Sequence, residues 1–385
     1  MKKHVLTSTI PLLAILFLIS GLIPGSYAVA SDKEPLKIGV LLPLTGGAAS
    51  GGKKELIGME LAVEEINQMG GVLGGRSLEL IVEDTESRPE AGMDGVHKLV
   101  DVEKVPVILG AHSSGVSIPT GTYSNKKGVV QIALSSSAPS LRDIGPYLFT
   151  TISTDEVMAS DLVKFASEDS GQKDFAILTM NSSFGVGMAK EMRTAIEAGG
   201  GKVLVEVRYE KGKSDYRAEL QRLFGPKPKA ILGVAWFQTS RIIQKQAYEL
   251  GLYESVKDTW YSPYINIAVT SCLPETIEGR KGTRTIIGTG PRVEAFHANY
   301  KKKIGDPNKQ AEMYTCLGYD AVWASVLAIK LAESADAKKI RDMMPTAFGL
   351  YHGMSGEDLS VDDDGIRINM KYARQVYRQG KLVDY

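Results

Sequence analysis

The sequence predicts an α/β protein built from two doubly wound parallel-sheet lobes. Two observations carry this expectation. Short apolar runs alternate with amphipathic segments in two successive series, as buried strands and their covering helices do. A chain of 385 residues, 43% of them hydrophobic, is also too long to bury itself around one core.

The first thirty residues stand apart from both series. "MKKH" is a basic n-region, "IPLLAILFLISGLI" an apolar h-region, and Ala28-Val29-Ala30 a small-residue cleavage site. Residues 1–30 therefore read as a secretory signal peptide, with the mature chain starting near Ser31. Pro11 and Gly21 break the apolar run, which is short for a membrane span. No cysteine lies near the cleavage site, which argues against a lipid anchor and for a soluble product outside the cytoplasm.

"LKIGVLLPL" (36–44) is the near-continuous apolar run of a strand covered on both faces. Residues 53–69 then set Leu56, Met59, Val63 and Ile66 on one helical face and stop at Gly70-Gly71. Strands recur at "LELIVED", "VPVIL", "VVQIAL" and "YLFTTI", with "MDGVHKLVDVEK" and "VSIPTGTYSNKKG" as intervening helices. After Ser153-Thr154-Asp155 a second, shorter series begins: "DFAILTM" (174–180), "VLVEVRY" (203–209) and "AILGVA" (230–235). Amphipathic segments 185–198, 214–224 and 238–250 separate these strands. The pattern resumes with "TRTIIG", a helix from Pro291 and a long helix over about 311–334. A turn-rich stretch, "HGMSGEDLSVDDDGIRIN", leads into a last strand, "KYARQVYR". Within it "DDDG" (362–365) lacks the glutamate of a calcium loop and reads as a turn.

Charge and cysteine content exclude several classes of function. The whole chain balances 45 basic against 45 acidic residues, and removal of Lys2 and Lys3 with the signal leaves 43 against 45. Lys126-Lys127 and Lys301-Lys302-Lys303 carry no interleaved aromatics and read as solvated helix faces, so no nucleic-acid partner is expected. Cys272 and Cys316 are too few for a disulfide framework or a four-cysteine metal site, and their pairing is open. No metal or other cofactor is expected.

Two enzymatic patterns fail on their details. "TGGAASGGKK" has the glycine spacing of a phosphate-binding loop, but Lys54 stands where a Ser or Thr would hold magnesium. It reads as a glycine-rich turn capping the first helix. A secreted serine hydrolase using Ser114 would need glycines two residues to either side of the nucleophile, which neither Ser113 nor Ser114 has. His112 is adjacent in sequence, a position from which it would rarely face the hydroxyl.

Binding remains. "GAHSSGVSIPTG" (110–121) follows a strand and opens a helix, so unpaired N–H groups and a positive dipole end can hold a small carboxylate without a lysine or arginine. A second hydroxyl-rich loop, "ALSSSAPSL" (133–141), follows the next strand, and Ser114 and Ser137 could face each other across a small pocket. Helix capping by serine is the plainer alternative.

Taken together, "IGVLLPLTG", "GMELAVEEINQMGGVLGG", "VILGAHSSGVS", "ALSSSAPSL", "NSSFGVGM", "KGKSDYRAELQRL", "ETIEG" and "GYDAVWASVLAIK" resemble, in order and spacing, the type I periplasmic solute-binding proteins of the branched-chain amino-acid group. The resemblance spans nearly all the mature chain. It implies two lobes joined by a three-strand hinge, with crossings near Ile152, Gly282 and Gly353. The lobes would then be 31–152 plus 282–352 and 153–281 plus 353–385. It further implies a monomeric, periplasmic, non-enzymatic subunit of an ABC importer, with an amino acid as ligand and a membrane permease as partner. The ligand's side chain would be aliphatic; a carboxylate without an ammonium, or an amide, is the alternative.

By the same resemblance Ser114 is the hydroxyl that holds the ligand carboxylate, while Ser135 and Ser137 supply a carbonyl and a hydroxyl from the second loop. Glu278 takes the acidic position that pairs with an ammonium. Asp155 either faces that ammonium too or caps the hinge helix. His112 is included among the ligand-facing residues. Phe184 stands where relatives often carry tyrosine, and Tyr261 and Tyr264, with Trp260, are candidate wall aromatics.

Overall fold

The computed structural model describes residues 33–356 and 358–385; the expected signal peptide lies outside them. In the first lobe β1 (Leu36–Leu42) leads through α1 (Ala49–Gln68) to β2 (Leu78–Asp84), then through α2 (Pro89–His97) to β3 (Val107–Gly110). From there α3 (Ser114–Lys127) leads to β4 (Val130–Ala133) and on to β5 (Leu148–Thr150). The five strands pair in the order β2-β1-β3-β4-β5, all parallel. β3 and β4 are buried throughout, and β1 at every residue but Lys37. That is why the strands read as continuous apolar runs rather than alternating ones.

The second lobe opens with α4 (Asp155–Ser170), β6 (Phe175–Met180), α5 (Ser183–Ala198), β7 (Val203–Tyr209) and α6 (Arg217–Phe224). It continues with β8 (Ile231–Gly233), α7 (Phe237–Glu249), β9 (Trp260–Ser262), α8 (Ile265–Val269) and β10 (Lys281–Thr285). Its five parallel strands, β7-β6-β8-β9-β10, repeat the topology of the first sheet. The lobe is nevertheless the one with more strands, because the chain returns to it at the end.

Between these visits α9 (Pro291–Ile304), α10 (Met313–Ala332) and α11 (Ala337–Leu350) cover the first sheet. Then β11 (Tyr372–Arg378) and β12 (Lys381–Asp384) form an antiparallel hairpin on the edge of the second. Four elements escaped the sequence reading: β9, α11, α8 and β12. The first is only three residues long, and Pro345 interrupts the second. A signal for α11 existed in Asp336, whose carboxylate caps it by accepting from the Lys339 N–H at 3.0 Å.

Two of the expected crossings shift. Residues 281–285 pair with β9 and β11 in the second sheet, so the second crossing follows Thr285 and does not fall at Gly282. Residues 354–356 and 358–370 stay with the first lobe: Met354 and Leu359 enter its core, and Thr150 N–H donates to Gly365 O at 3.0 Å. The third crossing therefore lies near Met370, which packs with Ile152 and Leu317, instead of at Gly353. A turn-rich stretch looks the same in sequence whichever sheet it covers.

α1 starts at Ala49, earlier than its apolar face suggests, because Gly51 and Gly52 lie inside it. α1 and α10 then cross backbone to backbone: a Cβ on Gly58 would overlap Thr315 O, and one on Gly318 would overlap Glu55 O. That close approach carries Glu55 to the edge of the cleft. The two cysteines are free, Cys316 in the first lobe's core and Cys272 in the second lobe.

Candidate functional site

In each sheet the strand order reverses once, between β1 and β3 in the first and between β6 and β8 in the second. Ligands of open α/β sheets bind in the crevice outside such a reversal, at the carboxyl ends of the strands. The two crevices face each other across the cleft, and the lobes touch beside it. A Cβ on Gly187 of α5 would lie 2.9 Å from the Pro139 ring of the first lobe.

On the first lobe's side, Ser114 is the first residue of α3, and its hydroxyl accepts from the N–H groups of Ser137 and Ala138 at 3.3 and 3.2 Å. Ser113, at the N-cap, makes no side-chain capping bond. A helix N-terminus and two loop N–H groups thus converge on one small acceptor. A ligand carboxylate could accept the proton of that hydroxyl and share the N–H groups around it.

Next to this cradle a buried acid organises the wall. Glu55 Oε1 lies 2.9 Å from His112 Nδ1 and accepts from the Ser135 hydroxyl at 2.6 Å, while its Oε2 has no partner. The imidazole fills the space above Gly51, where any side chain would collide with it, and tilts against the Tyr314 ring at 5.1 Å. His112 is therefore engaged with Glu55 and not with Ser114.

On the second lobe's side, Phe184 follows β6 and Trp236 follows β8. Their rings pack at 4.6 Å, and Tyr264 meets Trp236 edge-on at 5.9 Å. Phe237 and Tyr264 both hold left-handed backbone, at φ 50°, a conformation other residues than glycine adopt at a cost. Burial pushes the Tyr264 phenol well above the usual range; Tyr372 and Asp155 act in the same direction, and a hydrogen bond with Ser137 opposes them. Tyr264 thus spans the cleft.

Asp155 closes the ring. Its backbone N–H donates to Ser137 O at 2.8 Å across the lobe boundary, and its side chain is fully buried. Neither carboxylate oxygen has a hydrogen-bonding partner. Burial raises its pKa well above the ordinary aspartate value, with the neighbouring Ser137 hydroxyl acting the other way. The hydroxyls of Ser153 and Tyr372 are also buried without partners. A cation placed here would find a carboxylate with neither oxygen paired, opposite a cradle for an anion.

Seven of the nine anticipated site residues meet in this cleft: His112, Ser114, Ser135, Ser137, Asp155, Phe184 and Tyr264. Two do not. Glu278 precedes β10, at the end of the sheet away from the cleft, and its carboxylate accepts from Gln379 N–H at 3.0 Å. Tyr261 points to the other face of β9, where its hydroxyl bonds Asp169 at the end of α4 beside Lys281. Trp260 is likewise in the core, under Phe224 and Arg280. Glu55, Trp236, Tyr314 and Tyr372 were not anticipated. The rule that marked Ser114, the residue just past a parallel strand, marks Trp236 as well.

Comparison with known proteins bears on the fold and the family. The chain is 26% identical over 322 residues to the leucine-, isoleucine-, valine-, threonine- and alanine-binding protein of Pseudomonas aeruginosa, covering 83% of this chain and 84% of that one. Its fold matches a leucine-binding protein of Thermotoga maritima with a TM-score of 0.79 at 24% identity, over 91% and 97% of the two chains. It also matches an ABC transporter solute-binding protein of R. palustris in complex with benzoate, with a TM-score of 0.78 at 19% identity, over 91% and 95%. The family pattern described as periplasmic binding protein spans residues 35–381, and the chain belongs to that family.

Proposed function

We propose that this protein is the extracytoplasmic substrate-binding subunit of an ABC importer and that it carries an amino acid with a small or aliphatic side chain between its lobes. The observation that carries this reading is the unpaired, buried carboxylate of Asp155 facing an uncharged cradle at Ser114 and Ser137. An α-amino acid supplies a cation and an anion a few ångströms apart. Asp155 takes the place first given to Glu278 as the ammonium's partner. Phe184, Trp236 and Tyr264 form the apolar wall for the side chain. The engagement of His112 by Glu55 leaves Ser114 without an activating base, which supports binding without turnover. The leader ending at Ala30 would deliver the chain to the periplasm, where the closed monomer would present the ligand to a membrane permease.

The experiment is a thermal-shift screen on protein stripped of ligand by unfolding and refolding. Leucine, isoleucine, valine, threonine and alanine should give the largest shifts, ahead of benzoate and short-chain acids. The aromatic wall favours one second reading, a flat carboxylate without an ammonium. Larger shifts with the acids than with every amino acid would select it. Within the first reading Ser114→Ala and Ser137→Ala should each weaken binding about ten- to a hundredfold, the effect of losing one hydrogen bond to a charged group, about 1.5–3 kcal/mol. Calorimetry on both variants decides; unchanged affinity in both would remove the cradle.

A further inference from the structure

We propose, on the reading that Asp155 and the serine cradle grip the two ends of one ligand, that Arg142 is a positioning residue of the cleft. Its guanidinium bridges the two lobes and holds the start of α4, and with it Asp155, against the cradle at Ser137. Arg142 lies in the first lobe, on a short 3-10 helix (Pro139–Asp143) between β4 and β5.

The guanidinium is divided between the lobes. Nη1 donates to Asp362 Oδ2 and lies 3.6 Å from Asp364 Oδ2, both in the first lobe. Nη2 is 3.4 Å from Thr154 Oγ1 and 3.4 Å from Glu156 Oε2, at the start of α4 in the second lobe. A planar fork with fixed donors suits this double engagement, which the compact ammonium of a lysine does not. The acids on the first side are themselves fixed. Asp362 Oδ1 accepts from the N–H groups of Asp364 and Ile366 at 3.1 and 3.0 Å. Gly365 follows in left-handed backbone at φ 78°, so close to β5 that a Cβ would overlap Leu148 O. The "DDDG" turn is thus a mount for Arg142, anchored to the first sheet.

On the second side, Thr154 is the N-cap of α4, yet its hydroxyl makes no capping bond and donates to the Glu156 carboxylate instead. Arg142, Thr154 and Glu156 therefore form one hydrogen-bonded group around the first turn of the helix that carries Asp155. The stretch from Ser137 to Arg142 meets the second lobe three times: Ser137 at Asp155, Pro139 at Gly187 and Arg142 at Glu156. One segment thus carries part of the cradle and also fixes the carboxylate opposite it. Rotation of α4 away from the first lobe would break the contacts at Nη2, so the bridge favours the closed arrangement. Arg142 and Glu156 are 31% and 38% exposed, which keeps the effect modest and open to screening by salt.

A double-mutant cycle tests this with leucine as the probe. Glu156→Gln and Arg142→Gln should each weaken leucine binding about two- to fivefold, and the double variant no more than either alone. Arg142→Lys should resemble Arg142→Gln, because one ammonium cannot serve both lobes. High salt should weaken leucine binding to the parent more than to Glu156→Gln. Without any ligand, Glu156→Gln should show a larger radius of gyration than the parent in small-angle X-ray scattering. If Arg142→Gln does not fold, the salt dependence and the radius of Glu156→Gln decide. Additive losses would mean that Glu156 acts on the ligand directly and would overturn the bridge. So would a Glu156→Gln protein with the parent's affinity and radius. A parent that binds no amino acid sinks the reading of the cleft instead, and the radius then decides the bridge alone.

Discussion

Asp155→Asn should abolish most of the affinity for an amino acid while making the empty protein more stable. In the bound state the carboxylate would face an ammonium inside a closed, water-poor cleft, and removing one member of a buried pair costs about 3–5 kcal/mol. That corresponds to a loss of about two to four orders of magnitude in affinity. In the empty state the same carboxyl has no partner and must hold a proton to stay buried, a cost that asparagine of the same shape avoids.

The pH dependence has a definite sign. Because the folded pKa of Asp155 is raised, the empty folded protein holds a proton that the unfolded chain has already released. Its contribution to stability is therefore greatest below the ordinary aspartate value and falls as pH rises through the interval up to the raised value. An ammonium reverses this by favouring the charged form, so amino-acid binding within that interval should release a proton. Titration calorimetry in buffers of different ionisation enthalpy measures the release. It should vanish in Asp155→Asn and for 4-methylpentanoate, which has leucine's skeleton without the ammonium. Equal affinity for leucine in variant and parent would remove Asp155 from the site.

What the sequence made legible follows from what is local. The strand-to-helix loops after β3 and β4 announce themselves by glycine, serine and position, so Ser114 and Ser137 could be marked without any tertiary information. Phe184 was marked only through the family resemblance, as the place where relatives often carry tyrosine. Tyr261 and Tyr264 show the opposite case: they are three residues apart in one aromatic stretch, yet Tyr261 lies in β9 and faces Asp169, while Tyr264 lies past its end on left-handed backbone and faces the cleft. Glu278 was assigned through the resemblance, from its place in "IEG"; it precedes β10, and only the direction of that strand tells which end of the sheet it occupies. Tyr314 and Tyr372 reach the site from the third and last visits of the chain to the lobes, with no local signal. Glu55 sits on a helix whose approach to the cleft is set by Gly58 and Gly318, a contact between segments about 260 residues apart in sequence.

Asp320→Ala should be among the most destabilising single changes outside the cleft, by about 3–5 kcal/mol, the range for breaking a buried charged network. Asp320 is fully buried on α10 and accepts from Tyr351 Oη at 2.9 Å, Met354 N at 2.7 Å, Ser355 N at 2.8 Å and Ser355 Oγ at 2.6 Å. Ser355 Oγ in turn accepts from Arg367 Nη1 at 2.9 Å, and the same nitrogen donates to Thr151 O at 2.9 Å. One carboxylate thus ties the helical layer to the segment before the third crossing and, through Arg367, to the first crossing. Alanine would leave two N–H groups and two hydroxyls unpaired and Arg367 without the carboxylate that favours its charge. Asparagine keeps the shape but turns a donor toward donors, so Asp320→Asn should fall between parent and alanine. Chemical denaturation measures all three, and a loss under 1 kcal/mol for Asp320→Ala would show that solvent replaces the network. Because both crossings are anchored to this one side chain, the weakened lobe should also close less firmly. Small-angle X-ray scattering of the ligand-saturated variant should then give a larger radius of gyration than the ligand-saturated parent. An identical radius would confine the role of Asp320 to the first lobe's core.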